Sequence, residues 1–347
     1  MVAKDADSSS RVFHDTAVRL GRTPLTVTAL GFGATAIAGM YTEVDADDAT
    51  DTVAAAWAAG LRYFDVAPQY GRGNGETRLG RGLAPYRRDD YVLSSKVGRL
   101  LRADADPHPD DFDSTGQPYD AGAPNVATVY DYSRDGVLRS IEESLTRLGA
   151  DRLDVALVHD PDDYVDEALA TAFPTLIELR EQKVVSAIGA GMNQTAALER
   201  FARESDPDMF LLAGRYTLLE QTALQSFLPL CVERGIAVVA GGVFNSGLLA
   251  DAGPGARYDY DPAPADVVAR AHRLAEVCRR HDVPLKAAAL QFPIAHPAVV
   301  AVLTGARSRA EILENVDLFD RHVPDELWSD LVSEGLLDER APVGARF

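Results

Sequence analysis

The chain has 347 residues, 46% of them hydrophobic and 25% charged, with 53 acidic against 34 basic side chains and a formal charge of −19. These are values of a folded globular protein, not of a disordered or membrane-embedded one. The acid excess repels a phosphate backbone and no Lys/Arg run offsets it, so no nucleic-acid partner is expected.

The segment MVAKDADSSSRVF at the start of the chain lacks an apolar signal core, and no uninterrupted apolar stretch of about 18 residues follows. Residues 1–16 read as a flexible N-terminal segment, and 17–347 as one domain. VRLGRTPLTVTALGFGA then predicts a hairpin around Gly21, Arg22 and Thr23, followed by a strand over Leu30 to Gly33. DADDATDTVAAAWAAG is Ala-rich, with Asp in its first turn and Gly60 at its end, the order in which helices start and stop.

From there strands and helices alternate. LRYFDVA is a strand and 76–84 a helix. The strand DYVLSSK spans 90–96. After a break come the helix 135–149, the strand LDVALVH at 153–159 and a helix over 166–181. VVSAIGA, MFLLA and IAVVAGG are strands separated by helices at 193–203 and 221–234. Helical material over 264–295, the strand AVVAVLTG at 298–305 and a helix near 308–317 complete the pattern.

Counted from Leu30 there are eight strands, each followed by a helix, with no linker between units. The expected fold is a (β/α)8 TIM barrel with an N-terminal hairpin. Active sites of such barrels lie at the C-terminal ends of the strands, which directs attention to Asp65, Lys96, His159, Asn193 and Asn245. The segment 99–134 is acidic, rich in Pro and Gly, and too long for an ordinary connection. It follows the third strand and is expected to hang over the barrel mouth as a lid or substrate loop, the alternative being a surface insertion.

Singly, each candidate has an ordinary explanation. Tyr70 suits packing, Lys96 a surface amine, His159 a hydrogen-bonded strand end and Asp65 a turn or helix cap. A barrel makes the four converge. A free phenol has a pKa of roughly 10, too weakly acidic for proton exchange near neutrality. A cationic Lys96 beside Tyr70 favours the phenolate, and Asp65 holds that lysine charged and aimed. With His159 orienting a substrate oxygen, the four form a proton-transfer site for a carbonyl/alcohol pair, which needs a partner to carry hydride. No metal site is expected, because the histidines form no ligand cluster and Cys231 and Cys278 are far apart in sequence.

With FDVAPQYG, LSSKVG and ALVHDPD in view, the chain resembles the aldo-keto reductase superfamily, whose hallmark tetrad is matched by Asp65, Tyr70, Lys96 and His159. The resemblance implies a barrel without a Rossmann domain, an extended nicotinamide cofactor across the strand ends, and Tyr70 as acid or base. It places Asn193 of AIGAGMNQ on the nicotinamide carboxamide, with Met192 where a serine is common. Ala213 stands for the usual glutamine, three residues before Tyr216, which is taken as a cofactor contact. Gly241 stands for the usual stacking aromatic. Asn245, Ser246, Gly247 and Leu248 resemble the pyrophosphate loop. Gly305, Ala306, Arg307, Glu314 and Asn315 of TGARSRAEILENVDLF resemble the adenosine contacts. Glu311 lies where NADP-selective members often carry arginine, so NAD is expected over NADP, although Arg307 and Arg309 favour a phosphate.

The segments YDYSRDGVLRSIEESLTRLG, LVHDPD, LLAGRYTLLEQ and GGVFNSGLLA look like the aldose 1-dehydrogenase branch, of D-threo-aldose (L-fucose) and L-galactose type. The resemblance implies oxidation of a cyclic hemiacetal to a lactone. Three alternatives stand beside it: oxidation of pyridoxal to its lactone, general aldehyde or ketone reduction, and a non-catalytic cofactor-binding sensor. The expected partner is a small sugar or pyridoxal-like substrate, the expected location the cytoplasm, and the expected state a monomer or homodimer.

Overall fold

The structure is a computed structural model and describes residues 11–106 and 108–344. Eight parallel strands close a barrel: β3 (Leu30–Gly33), β4 (Tyr63–Asp65), β5 (Val92–Val97), β8 (Val155–His159), β9 (Ala187–Met192), β10 (Met209–Ala213), β11 (Ala237–Gly241) and β14 (Val299–Thr304), which pairs back onto β3. These are the eight strands the alternation predicts. The predicted hairpin is β1 (Ala17–Arg19) with β2 (Thr26–Thr28), antiparallel. It stoppers the barrel from below, since its Leu20 and Val27 join the interior cluster of Tyr63, Val155, Leu157, Met209 and Val239.

The helices begin and end where local chemistry dictates. Asp45 caps α1 (Ala46–Ala58) by accepting from the Asp47 amide, and Gly60 follows its end at φ 96°. α2 is Asn74–Leu83. Ser133 caps α3 (Arg134–Leu148), which Gly149 closes in a left-handed conformation. The predicted helix over 166–181 runs as α4 (Val165–Glu167), a π-turn over Ala168–Ala172 and α5 (Phe173–Glu181). α6 (Thr195–Glu204) and α7 (Phe227–Arg234) follow. The stretch 264–295 divides into α8 (Ala265–Arg280) and α9 (Leu285–Gln291), because Pro284 cannot continue a helix. α10 (Arg309–Asp320) is joined by an unpredicted α11 (Asp325–Ser333). Their apolar faces pack on the outward side of the strands, in a core containing Phe64, Leu93, Val158, Ile188 and Phe210.

The segment 99–134 is better ordered than its composition suggests. It opens and closes with an antiparallel ribbon, β6 (Arg99–Arg102) with β7 (Ala127–Tyr130). A second, unpredicted ribbon, β12 (Arg257–Tyr258) with β13 (Asp261–Pro262), turns through Asp259 and Tyr260, both at positive φ. Of the N-terminal segment read as flexible, residues 1–10 lie outside the described residues. The part that follows is fastened down. Arg11 donates to the Asp320 carbonyl, and His14 places its two ring nitrogens 2.6 Å from the Asp320 carboxylate and 2.7 Å from the Ala59 carbonyl. Cys231 and Cys278 are both buried free thiols.

Candidate active site

Successive side chains of a strand point to opposite faces of the sheet, so the inner set in a barrel is fixed by parity. On β4 Tyr63 faces the interior and Phe64 the helices, which returns Asp65 to the interior at the top. The same count carries Val92, Ser94 and Lys96 of β5 inward, and Val155, Leu157 and His159 of β8. On β9 it turns Gly191 inward and buries Met192 outward. Gly191 matters here for its missing side chain, because a Cβ would stand 3.2 Å from the Lys96 Cε. The glycine leaves the lysine stem its room.

Lys96 Nζ donates to Asp65 Oδ2 at 2.7 Å and to the Val66 carbonyl at 3.0 Å. Ser94 Oγ donates to the other Asp65 oxygen at 2.6 Å. The Lys96 amine lies 4.7 Å from the centre of the Tyr70 ring, and Tyr70 sits at the start of a short 3-10 turn, Tyr70–Gly73. His159 meets the Tyr70 ring edge-on at 5.9 Å between centroids. The structure therefore brings Asp65, Tyr70, Lys96 and His159 together.

Their electrostatics differ in one respect from the expectation. Burial raises the Tyr70 pKa above its ordinary value, and the Lys96 charge opposes that rise without cancelling it. Burial pulls the lysine down, but the Asp65 charge, followed by the Tyr70 phenolate, outweighs it and keeps the amine protonated. Burial, assisted by Arg99 and Lys96, holds His159 well below its ordinary value, hence neutral. Its Nδ1 is buried with no hydrogen-bond partner, while Nε2 lies 3.4 Å from Asp160 Oδ2. A stranded N–H costs more than a stranded lone pair beside the Arg99 and Lys96 cations, so the proton belongs on Nε2.

Asp65 and Tyr70 open onto a cavity of about 490 Å³ that runs across the barrel mouth to Glu311 and Asn315. Its wall includes Asn193, Asn245, Ser246, Gly247, Gly305, Arg307 and Glu314 of the expected cofactor contacts. Three others lie behind it. Leu248 and Ala306 are buried in the core. Tyr216 is 1% exposed, packed on Phe292 at 4.9 Å and edge-on to His296, because inward parity on β10 ends at Ala213 and the chain then turns back toward α9. Gly241 does line the cavity, and a Cβ there would stand 3.1 Å from Leu211, so the wall stays flat.

Three features of the cavity and one beside it carry little or no signal in the sequence. Lys286 of α9 joins its far end and pairs with Glu314 at 2.5 Å. Tyr260, at the tip of the β12–β13 ribbon, enters near Tyr70, with its phenol toward Asn193 and its amide donating to Ser246 Oγ at 3.0 Å. Tyr41 enters from the loop after β3, under the Arg257 guanidinium at 4.8 Å. Beside His159, Asp160 pairs with Arg99 at 3.1 Å. Only the Arg-Tyr-Asp-Tyr-Asp run at 257–261, with its turn-forming Asp beside Tyr, carried a local signal for any of these.

The site is suited to a nicotinamide cofactor on its own evidence. Asn245 Oδ1 is buried in the wall without a protein partner, and Asn193, Ser246 and the flat floor at Gly241 lie along the same channel. A buried unpaired amide oxygen asks for a polar ligand. No group of His, Cys, Asp and Glu among the described residues is arranged to hold a metal, and no helix among them is long and apolar enough to cross a membrane.

Comparison with known proteins agrees. Residues 29–333 match the family model Aldo/keto reductase family. The chain is 42% identical over 317 residues to a D-threo-aldose 1-dehydrogenase of a Pseudomonas species, covering 90% of this chain and 95% of that protein. It is also 42% identical over 332 residues to a pyridoxal 4-dehydrogenase of Microbacterium luteolum, covering 92% and 97%. In fold it is similar to an aldo-keto reductase of Bacillus halodurans, with a TM-score of 0.74 at 22% identity over 96% of this chain and 100% of that one. The chain belongs to the aldo/keto reductase family.

Proposed function

We propose that this oxidoreductase, working with a nicotinamide cofactor, oxidises the cyclic hemiacetal of an aldose to its lactone and prefers NAD. The observation that carries the proton chemistry is the Lys96 amine, held by Asp65 at 2.7 Å and placed 4.7 Å from the Tyr70 ring centre at the inner end of the channel. Tyr70 as phenolate takes the anomeric hydroxyl proton, and Lys96 stabilises that phenolate. Neutral His159 donates Nε2–H to the same substrate oxygen and fixes its direction. A bound oxidised nicotinamide would supply the hydride acceptor that balances loss of the anomeric C–H as the lactone carbonyl forms. Asn193, Asn245, Ser246 and Gly247 would hold the cofactor.

The NAD preference rests on the far end of the channel. The Arg307 guanidinium lies 3.6 Å from the Glu311 carboxylate and Lys286 pairs with Glu314 at 2.5 Å, so the two cations that line this end already have carboxylate partners. A ribose diol donates to such carboxylates, whereas a 2′-phosphate is repelled by them. The polar groups around Tyr70, namely Asp160, Tyr41, Tyr260 and Asn193, favour a substrate rich in hydroxyls over a flat aromatic ring, since unmatched buried polar groups are costly. The similarity to a pyridoxal 4-dehydrogenase makes pyridoxal the second reading.

The test is the rate of reduced-cofactor formation with NAD or NADP and, in parallel, L-fucose or pyridoxal, with the product analysed for lactone. Sugar-dependent NADH formation with lactone supports the proposal. A rate with pyridoxal alone replaces it with the second reading, and silence with both points to general carbonyl reduction.

A further inference from the structure

Asp160 is a conspicuous residue that the proton-transfer scheme leaves without a task. It follows the last residue of β8 with φ at 34°, a left-handed conformation that non-glycine residues rarely adopt. Strain of this kind persists only where the surroundings over-determine it, and here they do. The Asp160 amide donates to the Gly191 carbonyl at 3.1 Å, and the Tyr132 hydroxyl donates to the carbonyls of both His159, at 2.6 Å, and Asp160, at 3.2 Å.

The carboxylate is fixed as firmly as the backbone. Arg99 reaches Asp160 Oδ2 at 3.1 Å while its guanidinium also donates to Gln69 and lies over the Tyr130 ring at 5.0 Å. Arg99 is buried, yet 27% of the Asp160 side chain stays accessible. Its direction is toward the reaction: Oδ2 is 3.4 Å from His159 Nε2, and its charge is felt by the phenols of Tyr70 and Tyr260. An acceptor is thus held one hydrogen-bond length beyond the nitrogen that meets the reacting oxygen.

We propose that Asp160 is a specificity-determining residue, whose carboxylate accepts a hydrogen bond from the hydroxyl on the carbon next to the reacting one. Vicinal oxygens of a hydroxyaldehyde or a sugar ring are spaced to meet His159 and Asp160 together. The site consequently selects neutral 2-hydroxylated substrates over the same skeleton without that hydroxyl, and an anionic group in its place is repelled. Because Arg99 remains on the carboxylate in either case, the discrimination is that of one charge-assisted hydrogen bond, roughly 10- to 100-fold in kcat/KM, not the larger factor of a fully stranded group.

The inference rests on Tyr70 being the proton carrier, and its test is separable from the aldose reading. The full-length protein is assayed in the reductive direction with reduced cofactor on glyceraldehyde and propanal, and in the oxidative direction on L-fucose and its 2-deoxy analogue. The wild type is expected to prefer the 2-hydroxylated member of each pair by about 10-fold or more. Asp160→Asn keeps the shape and the tolerance of positive φ. Asp160→Gly removes the carboxylate and suits that backbone better still. Asp160→Gly is expected to collapse the preference toward unity and Asp160→Asn, whose neutral amide can still meet the hydroxyl, to reduce it severalfold, while binding of reduced cofactor, read by fluorescence, and the melting temperature are retained. A preference that survives Asp160→Gly undiminished overturns the inference, even if all rates fall together, because Asp160 then acts only on His159. Discrimination between the small aldehydes with no oxidation of L-fucose keeps the inference and removes the aldose reading. A protein that turns over none of the four compounds overturns both.

Discussion

The floor of the site and its rim are built on opposite principles. The floor consists of strand ends, with Asp65, Ser94, Lys96 and His159 all buried and placed by inward parity. The rim consists of turns stitched by side chains. Arg257 pairs with Asp113 at 3.0 Å, Ser114 donates its amide to Asp261 at 2.9 Å, and Met40 bridges to Asp120 of the 99–134 segment. Tyr119 meets the Tyr260 ring at 5.9 Å across the same seam. Chemistry that must be held to a fraction of an ångström sits on the sheet, and the part that must admit substrate sits on turns held by exposed or half-buried polar contacts.

The largest effect is expected of Lys96→Met, at the floor. It strips the cation from Tyr70 and strands the buried Asp65 carboxylate. The expected results are a fall in turnover of about 1,000-fold and a loss of roughly 3 kcal/mol in urea unfolding. The pH profile adds a sign. Lys96 opposes the burial that raises the Tyr70 pKa, so without it the phenolate forms at still higher pH and the alkaline rise of the oxidation rate moves upward.

Arg257→Ala attacks the rim instead. It releases Asp113 and the Tyr41 ring and is expected to raise KM by roughly 5-fold, the scale of about 1 kcal/mol, with kcat changed less than KM. Steady-state kinetics on one substrate read both. A large fall in kcat with unchanged KM would mean that the rim takes part in the chemistry and would erase the contrast.

The smallest effect belongs to Asp120, which accepts from the Gly71 amide in the rim and whose carboxyl is pushed up to about 6, mainly by burial. A folded pKa above the ordinary value of 3.8 means stability that is fully present below that value and lost as pH rises through about 6. Asp120→Asn, uncharged throughout, is expected to gain about 1 kcal/mol at pH 7.5 and to flatten the melting temperature between pH 4 and 7.

The same division governs what the sequence discloses. Tyr63-Phe64-Asp65 and Ser94-Ser95-Lys96 carry their own periodicity, so the strands, and with the family resemblance the four side chains that the structure brings together, are legible in one dimension. Tyr216 misled because the resemblance counts from a motif, whereas burial against Phe292 depends on how the chain turns after β10. Tyr41, Tyr260 and Lys286 reach the cavity through contacts between segments far apart in sequence, and a single side chain on a turn has no period to betray it. The fall of the Tyr70 pKa expected from Lys96 alone was likewise incomplete, because burial is a property of the assembled pocket and acts in the opposite direction.

The central claim is that the Tyr70 phenol carries the proton in a nicotinamide-dependent oxidation. Its most direct test is the initial rate of NADH formation from NAD and L-fucose by the wild type and by Tyr70→Phe, with reduced-cofactor binding measured on both. Tyr70→Phe is expected to bind the cofactor as the wild type does and to turn over about 1,000-fold more slowly. Equal rates for the two proteins would contradict it.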